Sequence, residues 1–319
     1  MLGVVVSVAG CAQQSADTSP TANSPASAPA SQIDPQWMGL GTSSLWDWEL
    51  IDRKITPDFQ QFGVRRLAST EKPRSCGSCD GHAPTAILMA FSPGRFDPTE
   101  ARSGQPVKVD GRDGFFRPSV GDKNAILTWS YADDAWAVVY GRSPDTSDLD
   151  VMVALAGDLR PTERTPVRLP LSLTKVPAGM PLSSITAQHS DWPTIVEFSA
   201  CQPRGYRIPP AECTDPKGSL SIRIWPKDDS FESTDDDEFP SWTDGAIATA
   251  IGGTDGLYNS ATYEAGVQIR PEMVATFEIA NPDGGPRPTT NLQDILATVQ
   301  LPTDPRNEET WPLVADWTK

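Results

Sequence analysis

The chain is short of histidine, cysteine and basic residues. Its 319 residues include two His and five Cys, and 26 Lys plus Arg stand against 42 Asp plus Glu, for a formal net charge of -16 at pH 7. Nucleic acid is recognised through a basic footprint, so this balance argues against it as a partner. It equally argues against flat electrostatic adhesion to anionic lipid. His82 and His189 stand far apart and in no motif. Triad and metal chemistry need a His placed against Ser, Cys or Asp, so neither is indicated and no cofactor is expected. The chain has no Gly-x-Ser-x-Gly, no His-Glu-x-x-His and no phosphate-binding glycine loop. Carboxylate catalysis carries no such signature and stays open as an alternative, a hydrolase. No stretch reaches the ~20 apolar residues that span a bilayer.

What is present begins at the N-terminus. Leu2-Gly3-Val4-Val5-Val6-Ser7-Val8-Ala9-Gly10-Cys11 is a short apolar run that ends in small residues and a cysteine. It has the length of a signal-peptide core rather than of a membrane span. No Lys or Arg precedes it, so a basic leader upstream of Met1 is expected. The string Val8-Ala9-Gly10-Cys11 resembles the lipobox of bacterial lipoproteins. That resemblance implies removal of residues 1–10, a diacylglyceryl group on Cys11, and a mature protein on the outer face of the cytoplasmic membrane. Two acyl chains suffice for stable anchoring. Residues 11–35, mostly Ala, Ser, Thr, Pro and Gln, then read as a disordered tether. As a flexible coil it reaches roughly 25–30 Å. Abundant Pro, Gly, Asp and Trp with few Lys is similar to exported actinobacterial proteins.

The remainder carries an internal duplication. Val109-Asp110-Gly111-Arg112-Asp113-Gly114-Phe115-Phe116 is echoed 142 residues later by Ile251-Gly252-Gly253-Thr254-Asp255-Gly256-Leu257-Tyr258. Each copy is followed by a strand pair, over 125–131 and 135–140 in the first and over 266–270 and 274–280 in the second. Ser147-Asp148-Leu149-Asp150 and Thr290-Asn291-Leu292-Gln293 then look like capping boxes that open a helix. Looser matches give strands over 63–69 and 194–200, then over 85–91 and 219–225, where Ile87, Met89 and Phe91 alternate like Leu220, Ile222 and Ile224. The fold class read from this is α+β: two tandem related domains, 36–165 and 166–319, each mostly antiparallel sheet with a closing C-terminal helix. The Pro- and Arg-rich interval 161–173 is the expected linker. Gly256 is expected to need positive φ, and Asp255 to matter for the same turn. The pattern from Gly111 to Leu159, with Ile126-Leu127-Thr128-Trp129, resembles extracytoplasmic domains of actinobacterial and firmicute membrane-anchored proteins. That resemblance supplies no catalytic residues.

Four cysteines remain beside Cys11, an even number that outside the cytoplasm points to disulfides, with three pairings available. The duplication selects Cys76–Cys79 and Cys201–Cys213, since Cys79 and Cys213 each lie six residues before a matched strand start. The larger loop would add roughly 3 kcal/mol in the chain-entropy model. Cys76-Gly77-Ser78-Cys79 with His82 also admits a redox pair or an incomplete zinc site. The surrounding Pro73, Gly77, Gly81 and Pro84 mark a loop rather than the strand-to-helix junction a reactive thiol needs.

Asp228-Asp229 and Asp235-Asp236-Asp237-Glu238 form the densest charge cluster. A solvated insertion is the first reading and a calcium loop the second, since the EF-hand spacing is absent. Trp46, Trp48, Trp129, Trp136, Trp192, Trp225 and Trp242 are candidates for a stacking platform for sugars or peptides. Trp129, Trp136 and Trp225 instead sit where strand aromatics fill cores, while Trp311 and Trp317 are placed to pin the C-terminal tail. The sequence thus yields a membrane-anchored extracytoplasmic lipoprotein that acts as a non-catalytic interaction or ligand-binding module. Its partner is an envelope protein or small ligand, held in a cleft between lobes. The alternatives are a carboxylate hydrolase of the cell envelope or a thiol-disulfide protein.

Overall fold

The structure, a computed structural model, describes residues 36–40, 48–67, 83–121, 123–188, 194–199, 219–226, 245–271, 273–280 and 289–317. The body, Ser31–Lys319, is one compact unit. In chain order its elements are β1 (Gln36–Leu40), β2 (Trp48–Ile55), β3 (Phe59–Arg66), β4 (Ala86–Phe91), β5 (Gln105–Val109), β6 (Arg112–Arg117), β7 (Ala125–Ala132), β8 (Ala135–Gly141), α1 (Leu149–Gly157) and β9 (Leu159–Thr165). They continue as β10 (Ser172–Leu173), β11 (Leu182–Gln188), β12 (Thr194–Ser199), β13 (Ser219–Pro226), β14 (Ile247–Ile251), β15 (Thr254–Asn259), β16 (Glu264–Arg270), β17 (Met273–Ala280), α2 (Leu292–Leu296) and β18 (Val299–Gln300). The fold is a sheet-rich α+β arrangement.

Fourteen strands form one antiparallel sheet in the order β14-β15-β16-β17-β13-β12-β11-β2-β3-β4-β8-β7-β6-β5. Read outward from the β2–β11 pair, the connectivity is the same on both sides. The seam pairs Ile55 with Ile185, Lys54 with Thr186, Arg53 with Ala187 and Asp52 with Gln188. Among the described residues, two short ladders, β1–β9 and β10–β18, complete the strand set.

Strand alternation explains where the core lies. Phe62, Leu88, Val139, Leu127 and Phe116 follow one another across β3, β4, β8, β7 and β6. All five are buried, in a cluster with Met152 and Leu155 of α1. Across the seam Ile185, Val196, Ile222, Phe277 and Ala265 make the corresponding row. They cluster with Leu292, Ile295 and Leu296 of α2 and with Trp317. Each large side chain so buried contributes about 1.5–3 kcal/mol.

Several local expectations change in detail. The helix caps are Asp148, whose carboxylate accepts from the amides of Asp150 and Val151, and Asn291, which accepts from Gln293. Each lies one residue beyond the expected Ser147 and Thr290, because a carboxylate or amide oxygen caps as well as a hydroxyl. Neither helix ends its segment: β9 follows α1 and β18 follows α2. The expected linker holds β9 and β10, with Leu169, Leu171 and Leu173 buried. The two hairpin turns put positive φ at Asp110 and Gly111 (48° and 77°) and at Gly252 and Gly253 (59° and 80°). That is the primed geometry a two-residue hairpin takes. Gly256 therefore lies in β15 and not in the turn. It is needed for close approach, since a Cβ there would meet the Gly266 carbonyl oxygen and Ile251 Cδ1 at 2.8 Å. Asp255 is exposed.

Candidate functional site

Cys11, Cys76, Cys79, Cys201, Cys213, His82, His189, the acidic run from Asp228 to Glu238, and Trp46, Trp192 and Trp242 all lie outside the described residues. Among the described side chains, the candidate tryptophans are not gathered into one platform. Trp48, Trp129 and Trp317 are buried. Trp225 donates its indole N–H to Thr276 Oγ1 at 3.4 Å, and Trp311 to the Pro305 carbonyl at 3.1 Å. Trp136 lines a concave surface.

That surface lies on the sheet face opposite α1. β6 carries adjacent aromatics, so Phe116 enters the inner core while Phe115 must point outward. The outer face is itself apolar here, with Phe59, Met89, Phe91, Phe96, Val138 and Tyr140 forming a second buried cluster. Its rings form a connected chain, Phe59 to Phe91 at 5.5 Å, Phe91 to Phe96 at 4.9 Å, and Phe96 to Trp136 at 6.1 Å. Phe115 then stacks on Trp136 at 6.5 Å between centroids and 19° between planes. Both rings stay half-buried, at the floor of a groove of about 610 Å³. Pro106, Val107, Arg102, Lys108, Asp113 and Ser130 line it. Lys108 Nζ donates to Asp113 Oδ1 at 2.6 Å, which fixes an ion pair at the rim. The groove therefore offers flat apolar surface below and hydrogen-bonding groups around it. It sits at the outer end of the sheet, not between the two halves as expected.

The outer face changes character at the β2–β11 seam. There Lys54 pairs with Glu197 at 3.2 Å and Ser184 also donates to Glu197, and two strands further out, across β13 and β17, Arg223 pairs with Glu278 at 2.9 Å. Lys54 and Arg142 both act on Asp52, so charges alternate along the row from Glu278 to Arg142. The two carboxyls are driven in opposite directions. Burial pushes Asp52 above its ordinary range, and hydrogen bonds from Gln61 and the Gly63 amide with the fields of Lys54 and Arg142 only partly offset it. Burial also pushes Glu197 up, but Lys54, Ser184 and Arg223 together outweigh it and its pKa falls.

The sequence flagged Phe115 as a motif residue, and Trp136 first as a strand aromatic filling the core and second as part of a stacking platform. The available signal was the Phe115-Phe116 pair: adjacent aromatics in one strand demand that both sheet faces be apolar. Arg102 and Lys108 at the groove, and Asp52 at the seam, carried no local signal, because their partners come from distant parts of the chain. Among the described residues no group of His, Cys, Asp and Glu is arranged to hold a metal, and no helix is long and apolar enough to cross a membrane. No protein-family model matches the chain, and no curated protein matches it.

Proposed function

We propose that this chain is an extracytoplasmic binding module, tethered to the outer face of the cytoplasmic membrane through a lipid on Cys11, and that the Phe115–Trp136 groove holds its ligand. The observation that carries the binding role is the stacked, half-buried ring pair on the floor of a polar-rimmed groove. Half-buried aromatic rings bordered by hydrogen-bonding groups suit a ligand with a flat apolar face and a hydroxylated edge, which is the chemistry of a sugar ring. The lipobox resemblance supports the anchor. The mirrored strand order supports two copies of one α+β unit joined through β2 and β11. Cys76–Cys79 and Cys201–Cys213 are the proposed disulfides.

Tryptophan-fluorescence titration with neutral and acidic oligosaccharides tests the groove. Saturable quenching that is lost in Trp136→Ala, with folding unchanged, is the expected result. Absence of binding across both classes removes the assignment. For the anchor, Cys11→Ser should shift the protein from the detergent phase to the aqueous phase on partition.

A second reading, the carboxylate hydrolase, rests on Asp52 and Glu197 flanking Lys54 on one sheet face, with their shifts opposed. Two carboxyls, one favoured neutral and one favoured ionised, are what acid–base hydrolysis requires. Hydrolysis of an oligosaccharide that vanishes in both Asp52→Asn and Glu197→Gln would establish this reading. Unaltered oligosaccharide after prolonged incubation rejects it.

A further inference from the structure

We infer that β14 is a self-association edge, on which two copies of this chain pair antiparallel about a two-fold axis through Thr249. The sheet ends in two free strands among the described residues, β5 and β14, and they are equivalents in the mirrored order. Each closes a hairpin with a two-residue primed turn, and their accessibility patterns match position for position. Their protection differs. β5 reads Gln105-Pro106-Val107-Lys108-Val109 and β14 reads Ile247-Ala248-Thr249-Ala250-Ile251. Aligned from the turn, Pro106 corresponds to Ala248 and Lys108 to Ala250.

Proline and lysine are two of the devices that blunt a free edge. They fall at positions where they act on it. The turn makes Ile251 and Thr254 a hydrogen-bonded pair, and bonded pairs alternate along an antiparallel ladder. The backbone N–H and C=O of residues 248 and 250 therefore point away from β15 into the open side. At β5 the same positions carry a missing donor and a charge. At β14 both donors are present and no charge guards them.

The occupant is argued from the strand's own sequence. Ile-Ala-Thr-Ala-Ile reads the same in both directions. A two-fold through Thr249 sets Ile247 against the partner's Ile251, Ala248 against the partner's Ala250, and Thr249 against its own copy. Every cross-strand pair is then matched in size and uncharged, and Thr–Thr is a favourable one. Ile247, 58% exposed at the rim of the inner face, would be covered by the added strand. The fold already uses this kind of join, since β2 and β11 meet antiparallel at the sheet centre. A five-residue pair buries far less than the ~1,200–2,000 Å² of a tight interface, so the association is weak. The net charge of -16 opposes it, and salt relieves that repulsion.

Sedimentation equilibrium of the full chain at low and high salt tests this. A monomer–dimer equilibrium that tightens with salt is expected. The double variant Ala248→Pro/Ala250→Lys, which copies β5 onto β14, should weaken it at least about tenfold. Its melting temperature should stay close to that of the parent, because β5 tolerates the same residues in the same hairpin. A chain that remains monomeric at high salt and high concentration overturns the inference. So does a dimer that the double variant leaves intact.

Discussion

The carboxylate of Asp52 lies directly over Gly63 on the neighbouring strand, so close that a Cβ at position 63 would stand 2.6 Å from both of its oxygens. The side chain thus occupies the volume that any other residue at 63 would fill. Gly63→Ala should destabilise the protein by about 1–3 kcal/mol, the range for forcing extra volume into a packed site. Asp52→Ala should abolish most of that penalty, since it removes the clashing group. A double-mutant cycle by denaturant unfolding measures the coupling, and additive costs would show that the two residues do not share this space.

Asp52 and Glu197 should respond to pH with opposite signs. A carboxyl raised in the folded state favours folding while protonated, so its contribution is present below its unfolded value of 3.8 and lost as pH rises through its folded value. Asp52→Asn should accordingly be more stable than the parent at neutral pH, and the gap should close as pH falls toward 3.8. Glu197 behaves conversely: its contribution is present above 4.5 and lost as pH falls through its lowered folded value. Glu197→Gln should lose stability at neutral pH and recover parity in acid. The Glu197 side chain is 42% exposed, so solvent screening keeps this loss below about 1 kcal/mol. Thermal melts of both variants from neutral pH down past 3.8 check the signs.

Much of the strand pattern was legible because alternation is written into adjacent residues. Ile87, Met89 and Phe91, and likewise Leu220, Ile222 and Ile224, mark β4 and β13 without further help. The hairpin turns were placed wrongly: positive φ was expected at Gly256, but it falls at Asp110-Gly111 and Gly252-Gly253, because a motif with several glycines does not say which of them turns the chain. The groove was not legible for a reason of the same kind. Lys108, Ser130 and Trp136 come from separate strands and meet only through the β5–β6–β7–β8 ladders, and Arg102 joins them from the turn before β5. The seam was hidden too, since nothing local in β2 shows that Ile55 will face Ile185, 130 residues away. The caps went astray by one residue because Ser147-Asp148 and Thr290-Asn291 each place two capping side chains side by side.

Two glycines at matching places in the mirrored strand order give a contrast that separates turn chemistry from close packing. Gly114 and Gly256 are equivalents, and a Cβ would meet the Thr128 carbonyl oxygen at 3.0 Å in one case and the Gly266 carbonyl oxygen at 2.8 Å in the other. Both obstacles are backbone and cannot rotate aside. Gly114→Ala and Gly256→Ala should each cost about 1–3 kcal/mol, with the second the larger. Asp255, exposed beside Gly256, should change stability by less than about 0.5 kcal/mol when replaced by Ala. Urea unfolding of the three variants decides it, and a large Asp255 effect would return the motif's importance to its carboxylate.

Trp317 fixes the end of the chain to the second half of the sheet. Its indole stacks on Phe198 at 6.2 Å and 14°, and both rings are almost fully buried. The contact is supported on each side of the tail, where Val314 N–H donates to the Val167 carbonyl and Leu169 N–H to that of Pro312. Trp317→Ala should cost about 3–5 kcal/mol, as other aromatic deletions in cores do. Trp317→Phe should cost far less. It keeps a ring on Phe198, and the indole N–H it removes has no hydrogen-bond partner among the described residues. Calorimetric melting of the two variants separates stacking from hydrogen bonding as the source of the anchor: equal losses would mean that the indole nitrogen, not the ring, holds the tail in place.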